Sequence, residues 1–213
     1  MRLRNVKNKD EILNASSYLI KDAEKYKGKW NELFGNDNPI YIEIGMGKGK
    51  FIIEHAINYP NINFIGIEKF DSVLAKSLPK IPEGLSNLYI IRMDALNIEN
   101  VFDGEIDRIF LNFSDPWPKT RHHLRRLSSR VFLDKYESVF KDNKEIYMRT
   151  DNQGLYIYSL MSFSEHGYIL RDISFDLHKD KENLITTEYE DKFSSKGMPI
   201  YSVIAVKGVQ NSK

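Results

Sequence analysis

The sequence predicts an α/β fold, a mostly parallel, seven-stranded sheet with helices on both faces. Three observations predict it. Short runs rich in β-branched and aromatic residues alternate with segments whose apolar residues recur at i, i+3 and i+4. A glycine-rich turn directly follows the first strong strand. The last two strand-like runs, Ile169 to Leu177 and Ile200 to Val206, have no long helix between them, so an antiparallel pair finishes the sheet.

The elements follow in order. Residues 1–38 read as an N-terminal basic extension, partly helical or flexible, with Ile12, Tyr18 and Leu19 apolar among many charges. Gly35-Asn36-Asp37-Asn38-Pro39 closes it as a turn. Residues 39–213 then form one domain. Ile40 to Ile44 is a strand, and Ile53, Ala56 and Ile57 give one face of the helix behind it. Ile62 to Ile67 is a strand, 70–79 a helix, Leu88 to Arg92 a strand, and Arg108 to Phe113 an apolar strand. Ser128 or Ser129 caps a helix with Phe132, Tyr136, Val139 and Phe140 inward. Glu145 to Thr150 is a further strand and 152–165 a further helix.

Composition excludes several classes. With 41% hydrophobic and 29% charged residues the chain is neither collagen-like, low-complexity nor wholly disordered. Zero cysteines exclude a disulfide framework, a thiolate metal site and a cysteine nucleophile. No run approaches a membrane span, and Met1-Arg2-Leu3-Arg4 leads into a lysine-rich stretch without the apolar core of a signal peptide. A soluble, cytoplasmic protein with no membrane partner is expected. The net charge of +1 hides a local pattern: residues 1–30 hold eight basic and four acidic residues. Between Asp115 and Asp134 come Lys119, Arg121, Arg125, Arg126 and Arg130, with His122 and His123 and no acid. Such local positive fields suit one face that meets a polyanion.

In doubly wound sheets ligands sit at the carboxyl ends of the strands, near the point where strand order reverses. The first such turn is Glu43-Ile44-Gly45-Met46-Gly47-Lys48-Gly49. Glycines at 45, 47 and 49 let backbone approach a ligand where a Cβ would collide. Glu68 ends the second strand, where a carboxylate can accept both hydroxyl protons of a ribose. Asp94, in Met93-Asp94-Ala95, ends the third, within reach of an adenine amino group. The same residues also fit a tight turn with solvated strand ends. A nicotinamide site wants G-x-G-x-x-G, whereas G-x-G-x-G with an acid two residues ahead is similar to the S-adenosylmethionine site of Rossmann-like class I methyltransferases. That resemblance implies cofactor binding by Glu43, Gly45, Gly47, Gly49, Glu68, Asp94, Ala95 and Asp115.

A second motif ends the strand from Arg108: Asn112-Phe113-Ser114-Asp115-Pro116-Trp117-Pro118-Lys119. Its prolines fix φ and stiffen the loop, so a carboxylate and a ring can be held ready. Trp117 as a core residue is the plainer alternative. The stretch Asp115-Pro116-Trp117-Pro118-Lys119-Thr120-Arg121-His122-His123-Leu124-Arg125-Arg126-Leu127 resembles the signature of the bacterial tRNA (guanine-N7-)-methyltransferases. Further matches are Thr150-Asp151-Asn152, Thr187-Glu188-Tyr189-Glu190, Lys192-Phe193 and Gly197-Met198-Pro199-Ile200-Tyr201, so the likeness runs from about Tyr26 to Tyr201. Two positions depart: the family usually has lysine where Thr120 stands and often a basic residue at Leu124, losses that bear on RNA affinity more than on chemistry.

The resemblance implies methyl transfer from S-adenosylmethionine to N7 of guanine, guanine 46 of the tRNA variable loop, with S-adenosylhomocysteine as the other product. It implies Asp115 as the catalytic group. Lys119, Asp151, Thr187, Glu188, Tyr189 and Glu190 would line the acceptor side, and Arg121, His122, His123, Leu124, Arg125 and Arg126 would contact RNA. Asp151 as a helix cap, and Glu188 with Glu190 as an exposed acidic face, are the alternatives. His122 and His123 are neighbours that do not share a helical face and have no further ligand at metal spacing, so no metal is assigned. Monomer and homodimer both stand, because apolar interface residues do not separate from core residues in a sequence. Three rivals remain: a methyltransferase of another substrate, a catalytically silent RNA-binding protein, and a nicotinamide-linked dehydrogenase, the last disfavoured by the glycine spacing.

Overall fold

A computed structural model describes residues 6–208 of the chain; the opening Met1-Arg2-Leu3-Arg4 lies outside them. In chain order the elements are α1 (Lys9–Ala15), β1 (Leu19–Ile20), α2 (Trp30–Phe34), β2 (Ile40–Ile44), α3 (Lys50–Asn58), β3 (Asn63–Glu68), α4 (Asp71–Ser77), β4 (Leu88–Arg92) and β5 (Ile106–Asn112). Then come α5 (Arg130–Val139), β6 (Phe140–Thr150), α6 (Gln153–Glu165), β7 (Ile169–Ser174), α7 (Leu177–Asp180), α8 (Glu188–Ser194) and β8 (Tyr201–Lys207).

The strands form one sheet in the order β1-β4-β3-β2-β5-β6-β8-β7. All neighbours from β1 through β6 are parallel, and β8 runs antiparallel to both β6 and β7. Among the described residues the sheet has eight strands rather than seven. The extra one is β1, a two-residue edge strand that pairs Leu19 with Ile90 and Ile20 with Ile91, too short for alternation to reveal it.

Alternation along the central strands divides the core in two. Ile42 and Ile44 of β2, Ile65 and Ile67 of β3, and Ile109 and Leu111 of β5 face a cluster built with Trp30 and Phe34, with Phe132, Leu133 and Tyr136 of α5, and with Leu155, Tyr156 and Phe163 of α6. Phe64, Leu88, Ile90 and Phe110 point the other way, onto Phe51, Ile52 and Ala56 of α3 and Leu74 of α4. Helices therefore cover both faces, as parallel crossovers require.

Residues 6–38 are built into this frame. Leu13, Leu19, Ala23, Trp30 and Phe34 are buried, and the Trp30 indole donates to the carbonyl of Val101 at 3.0 Å. Two boundaries differ from expectation. Phe140, read as the inward end of a helix, is the buried first residue of β6, because the chain is extended there and pairs with Ile106. The strand starting at Ile169 stops at Ser174 rather than Leu177, which opens α7 instead. Ser129 stands at the N-cap of α5, yet its hydroxyl donates to the carbonyl of Leu124.

Candidate active site

Strand order reverses between β2 and β5. From β2 the chain steps outward through β3 and β4, and from β5 it steps the other way to β6. A crevice forms at the carboxyl ends of adjacent strands that diverge in this way. Here it lies between the glycine loop after β2 and the Asp115 loop after β5.

The glycine loop is anchored on one side and open on the other. The N–H groups of Gly45 and Met46 donate to the carbonyl of Ile67 at 2.8 and 3.0 Å. Gly45 and Gly47 hold φ of +79° and +57°, and a Cβ on either would meet nothing within 4 Å. The conformation demands glycine there while the space beside the loop stays free. Met46 turns inward over Gly66, where any Cβ would run into its sulfur.

Beneath the loop lies Glu43, 1% exposed. One carboxyl oxygen accepts from the Asn112 side chain at 2.8 Å, and the other, fully buried, has no partner among the described residues. Burial pushes its pKa up to about 8. The Asn112 hydrogen bond and Arg149 oppose this, while Glu188 and Glu68 add to it. Those influences place Glu188 and Glu68 in the electrostatic neighbourhood of Glu43. Glu68 accepts from the backbone N–H groups of Lys69 and Phe70 at 2.8 and 3.0 Å. Burial raises its pKa too, against the pull of those N–H groups and of Gly47. Asp94 accepts from Leu96 N–H at 3.0 Å and so caps a 3-10 turn that opens at Ala95. Phe70 and Leu96, both exposed, flank the two acids. Sequence reasoning missed them, although an apolar residue two positions after each of two strand-end acids is a readable signal.

The Asp115 loop is irregular and strained. Phe113 and Trp117 have φ of +51° and +42°, the left-handed region that non-glycine residues enter at a cost. Asp115 is exposed and Trp117 half-buried, so the indole is not a core residue. The basic run continues as a 3-10 turn, Thr120–Arg125. Lys119, Arg121, Leu124 and Arg125 are exposed, whereas His122, His123 and Arg126 are half-buried. Arg125 lies 5.0 Å from the centre of the Trp117 ring, and His122 meets that ring edge-on at 5.7 Å. Among the described residues, no group of three or more His, Asp or Glu is placed to hold a metal ion, and no helix is long and apolar enough to cross a membrane.

The third part arrives through topology. Since β8 is antiparallel to both β6 and β7, the connection from β7 to β8 begins and ends at the same sheet edge as the crevice. Lys50 binds Thr186 at 2.8 Å and pairs with Asp191, and Lys80 binds the carbonyl of Lys48 at 3.1 Å and pairs with Glu188. These contacts dock the 186–191 segment onto the glycine loop. Tyr189 donates to Asp151 at 3.2 Å and its ring packs 5.1 Å from that of Phe113. Residues from three distant stretches thus meet above one crevice. Asp151 is not the cap of α6; Asn152 is, accepting from Leu155 N–H at 2.8 Å.

Glu190 departs from expectation. The family resemblance implies a place on the acceptor side, but Glu190 is fully buried, accepts from Arg149 at 3.1 Å, and lies 2.9 Å from His178. With its charge neutralised inside the protein it is withdrawn from the acceptor surface. Thr187 caps α8: its hydroxyl oxygen accepts from Glu190 N–H at 2.9 Å in a capping box. Asn112 and Arg149 were also missed as site residues. Their signal was a polar side chain directly after an apolar run at a strand's carboxyl end, Asn112 after Ile109-Phe110-Leu111 and Arg149 after Ile146-Tyr147-Met148.

Residues 37–203 match the family described as "Putative methyltransferase". The tRNA (guanine-N(7)-)-methyltransferase of a Geobacillus species is 54% identical over 205 residues, covering 94% of this chain and 93% of that protein. That of Bacillus licheniformis is 48% identical over 209 residues, covering 96% and 98%. Among solved structures, the 16S rRNA methyltransferase KamB shares the fold with a TM-score of 0.66 at 14% identity, covering 85% of this chain and 93% of that one. An antibiotic-related methyltransferase does so with a TM-score of 0.60 at 19% identity, covering 85% and 94%. With a switch-point crevice of the class I methyltransferase kind and relatives matched over nearly their whole length, the chain belongs to the tRNA (guanine-N7-)-methyltransferase family.

Proposed function

We propose that this protein transfers a methyl group from S-adenosylmethionine to N7 of a guanine in tRNA, guanine 46 by family resemblance, in the cytoplasm. The observation that carries the reading is the meeting of two loops at the switch point, the open glycine loop over Glu43 and the Asp115 loop, tied at their roots by the Asn112–Glu43 hydrogen bond.

The cofactor fits the residues present. A buried carboxyl oxygen without a partner among the described residues calls for a donor or a cation, and the space beside Gly45 and Gly47 admits one. Glu43 and the glycine loop would hold the amino-acid end, Glu68 the ribose hydroxyls, and Asp94 with Ala95 the base, flanked by Phe70 and Leu96. When bound, S-adenosylmethionine supplies an electrophilic methyl group on a sulfonium.

Guanine N7 carries an in-plane lone pair and no hydrogen, so the chain need not remove a proton; positioning and electrostatics do the work. The methylated ring is cationic, and the carboxylate of Asp115 stabilises the charge that grows on it. Guanine also presents N1–H and the N2 amino group, two donors that a carboxylate accepts together and adenine does not match. Asp115, helped by Asp151 or Glu188, would serve both ends, while Lys119, Tyr189 and the exposed Arg121 and Arg125 hold the RNA.

Mass spectrometry of nucleosides from unmodified tRNA incubated with the protein and S-adenosylmethionine tests donor, acceptor and position together. N7-methylguanosine is expected, and methylation of a metabolite pool instead of tRNA would overturn the reading. Asp115→Asn should lower the rate by the equivalent of about 1 to 3 kcal/mol. A rate within about twofold of the unsubstituted protein would remove Asp115 from its role.

A further inference from the structure

Within the basic run the structure separates one arginine from the rest. Arg126 Nε donates to the carbonyl of Pro116 at 3.0 Å, and an Nη donates to the carbonyl of Trp117 at 3.1 Å. Its guanidinium lies over the ring of Tyr158, 4.2 Å from the centroid. Arg121 and Arg125 are exposed, and Arg125 reaches this loop through the face of Trp117.

What Arg126 grips is the loop that carries Asp115 and Trp117. Trp117 sits at φ +42° and Phe113 at φ +51°, and such conformations persist only where the surroundings over-determine them. The loop cannot do this by itself. Pro116 and Pro118 have no N–H, so the loop is short of donors for its own carbonyls. Two adjacent carbonyls, Pro116 and Trp117, are met by one rigid two-pronged donor whose plane is fixed by Tyr158. A lysine ammonium, a point charge on a flexible stem, would not reproduce that fork or the stacking.

We infer that Arg126 is a positioning residue: it holds the Asp115–Trp117 loop in its strained shape and so presents Asp115 and Trp117 to the acceptor base, leaving the phosphate contacts of the run to Arg121 and Arg125. The family resemblance grouped Arg126 with the RNA contacts; the geometry assigns it to the loop. This inference rests on the proposed methyl transfer to tRNA.

The test compares Arg126→Ala, Arg126→Lys and Arg125→Ala on an unmodified tRNA transcript, with affinity measured across a salt series and the single-turnover rate measured at saturating tRNA. Each phosphate contact contributes roughly 0.7 to 0.9 to the slope of log affinity against log salt. Arg126→Ala should leave that slope unchanged and lower the saturating rate by about tenfold or more, and Arg126→Lys should fail to restore it. Arg125→Ala should flatten the slope. Acrylamide quenching gives a second readout, since Trp117 is one of only two tryptophans and the other, Trp30, is fully buried. Trp117 should become more quenchable in Arg126→Ala at unchanged thermal midpoint. Should Arg126→Ala fail to fold, Tyr158→Leu removes the stacking alone and should act in the same direction on rate and quenching. A flattened salt slope in Arg126→Ala, whatever its rate, overturns the inference, as does an unchanged rate. The quenching is read without catalysis, so an inactive unsubstituted protein would sink the proposed function and leave the loop contact separately measurable.

Discussion

Glu43→Gln isolates the electrostatics of the cofactor crevice. The folded protein holds the Glu43 carboxyl at about 8 against 4.5 for the unperturbed group, chiefly through burial. A folded-state pKa raised above the unfolded one means that the native protein keeps a proton the unfolded chain has released. Its stabilising effect is complete below pH 4.5 and is lost as pH rises through about 8. Between pH 5 and pH 8 the linkage amounts to roughly 3 to 4 kcal/mol of stability from this one group, an upper figure because crevice opening relieves part of it. Glutamine keeps an oxygen for Asn112 and cannot ionise. Urea unfolding at pH 5, 6, 7 and 8 should show the unsubstituted protein losing stability relative to Glu43→Gln as pH rises. The difference cancels the other titrating groups, Glu68 and Glu105 among them, whose pKa values burial also raises. Parallel curves for the two proteins would refute a buried, protonated Glu43.

Two further outcomes are expected. Trp30→Ala should destabilise by about 3 to 5 kcal/mol in denaturant titration, the usual loss for a buried tryptophan, because Trp30 packs between Tyr26 and Phe102 and donates to Val101; a loss under about 1 kcal/mol would mean that residues 6–38 pack more loosely than they are placed. Lys50→Met combined with Lys80→Met should speed amide exchange in the 186–191 segment while lowering global stability by no more than about 1 kcal/mol per partly exposed pair, and unchanged exchange there would show that the lysines do not dock the segment.

The parallel sheet was legible because its signal is local. Ile40 to Ile44 and Arg108 to Phe113 are apolar runs bounded by turn residues, and the chemistry sits at their ends, where glycines, acids and prolines stand out. The 186–191 segment was legible as a likeness to a family, but its contacts were not. Glu190 and Glu188 are two residues apart on one short helix, and a sequence gives no reason for the first to turn inward onto Arg149 and the second outward onto Lys80. That choice is made by a partner 41 positions away on β6 and by another 108 positions away after α4. β1 escaped notice for a related reason: two residues show no period, and their pairing with β4 is decided by where Tyr18 and Leu19 can bury themselves. The division among Arg121, Arg125 and Arg126 was equally hidden, since nothing in three arginines of one run tells which finds carbonyls to grip.

The electrostatic layout follows from the same topology. Glu68 and Glu188 lie near a Glu43 that burial keeps protonated below about pH 8, while Lys119, Arg121 and Arg125 stand exposed along the loop that leaves the crevice. A cationic sulfonium donor and a polyanionic acceptor place opposite demands on one site, and a chain of net charge +1 meets both only by segregating its charges. The switch point makes that possible. Acids at the ends of β2 and β3 flank the glycine loop, the Asp115 loop carries bases away from the sheet, and the connection from β7 to β8 brings the 186–191 segment onto the glycine loop. There Lys50 and Lys80 spend their charge on Asp191 and Glu188 rather than on the crevice. An uncompensated lysine at either position would repel a cationic donor and would weaken the local field that favours it; paired, each lysine serves to fasten the segment instead. The ion pairs are thus worth more as placement than as stability, in keeping with the small energies of exposed pairs.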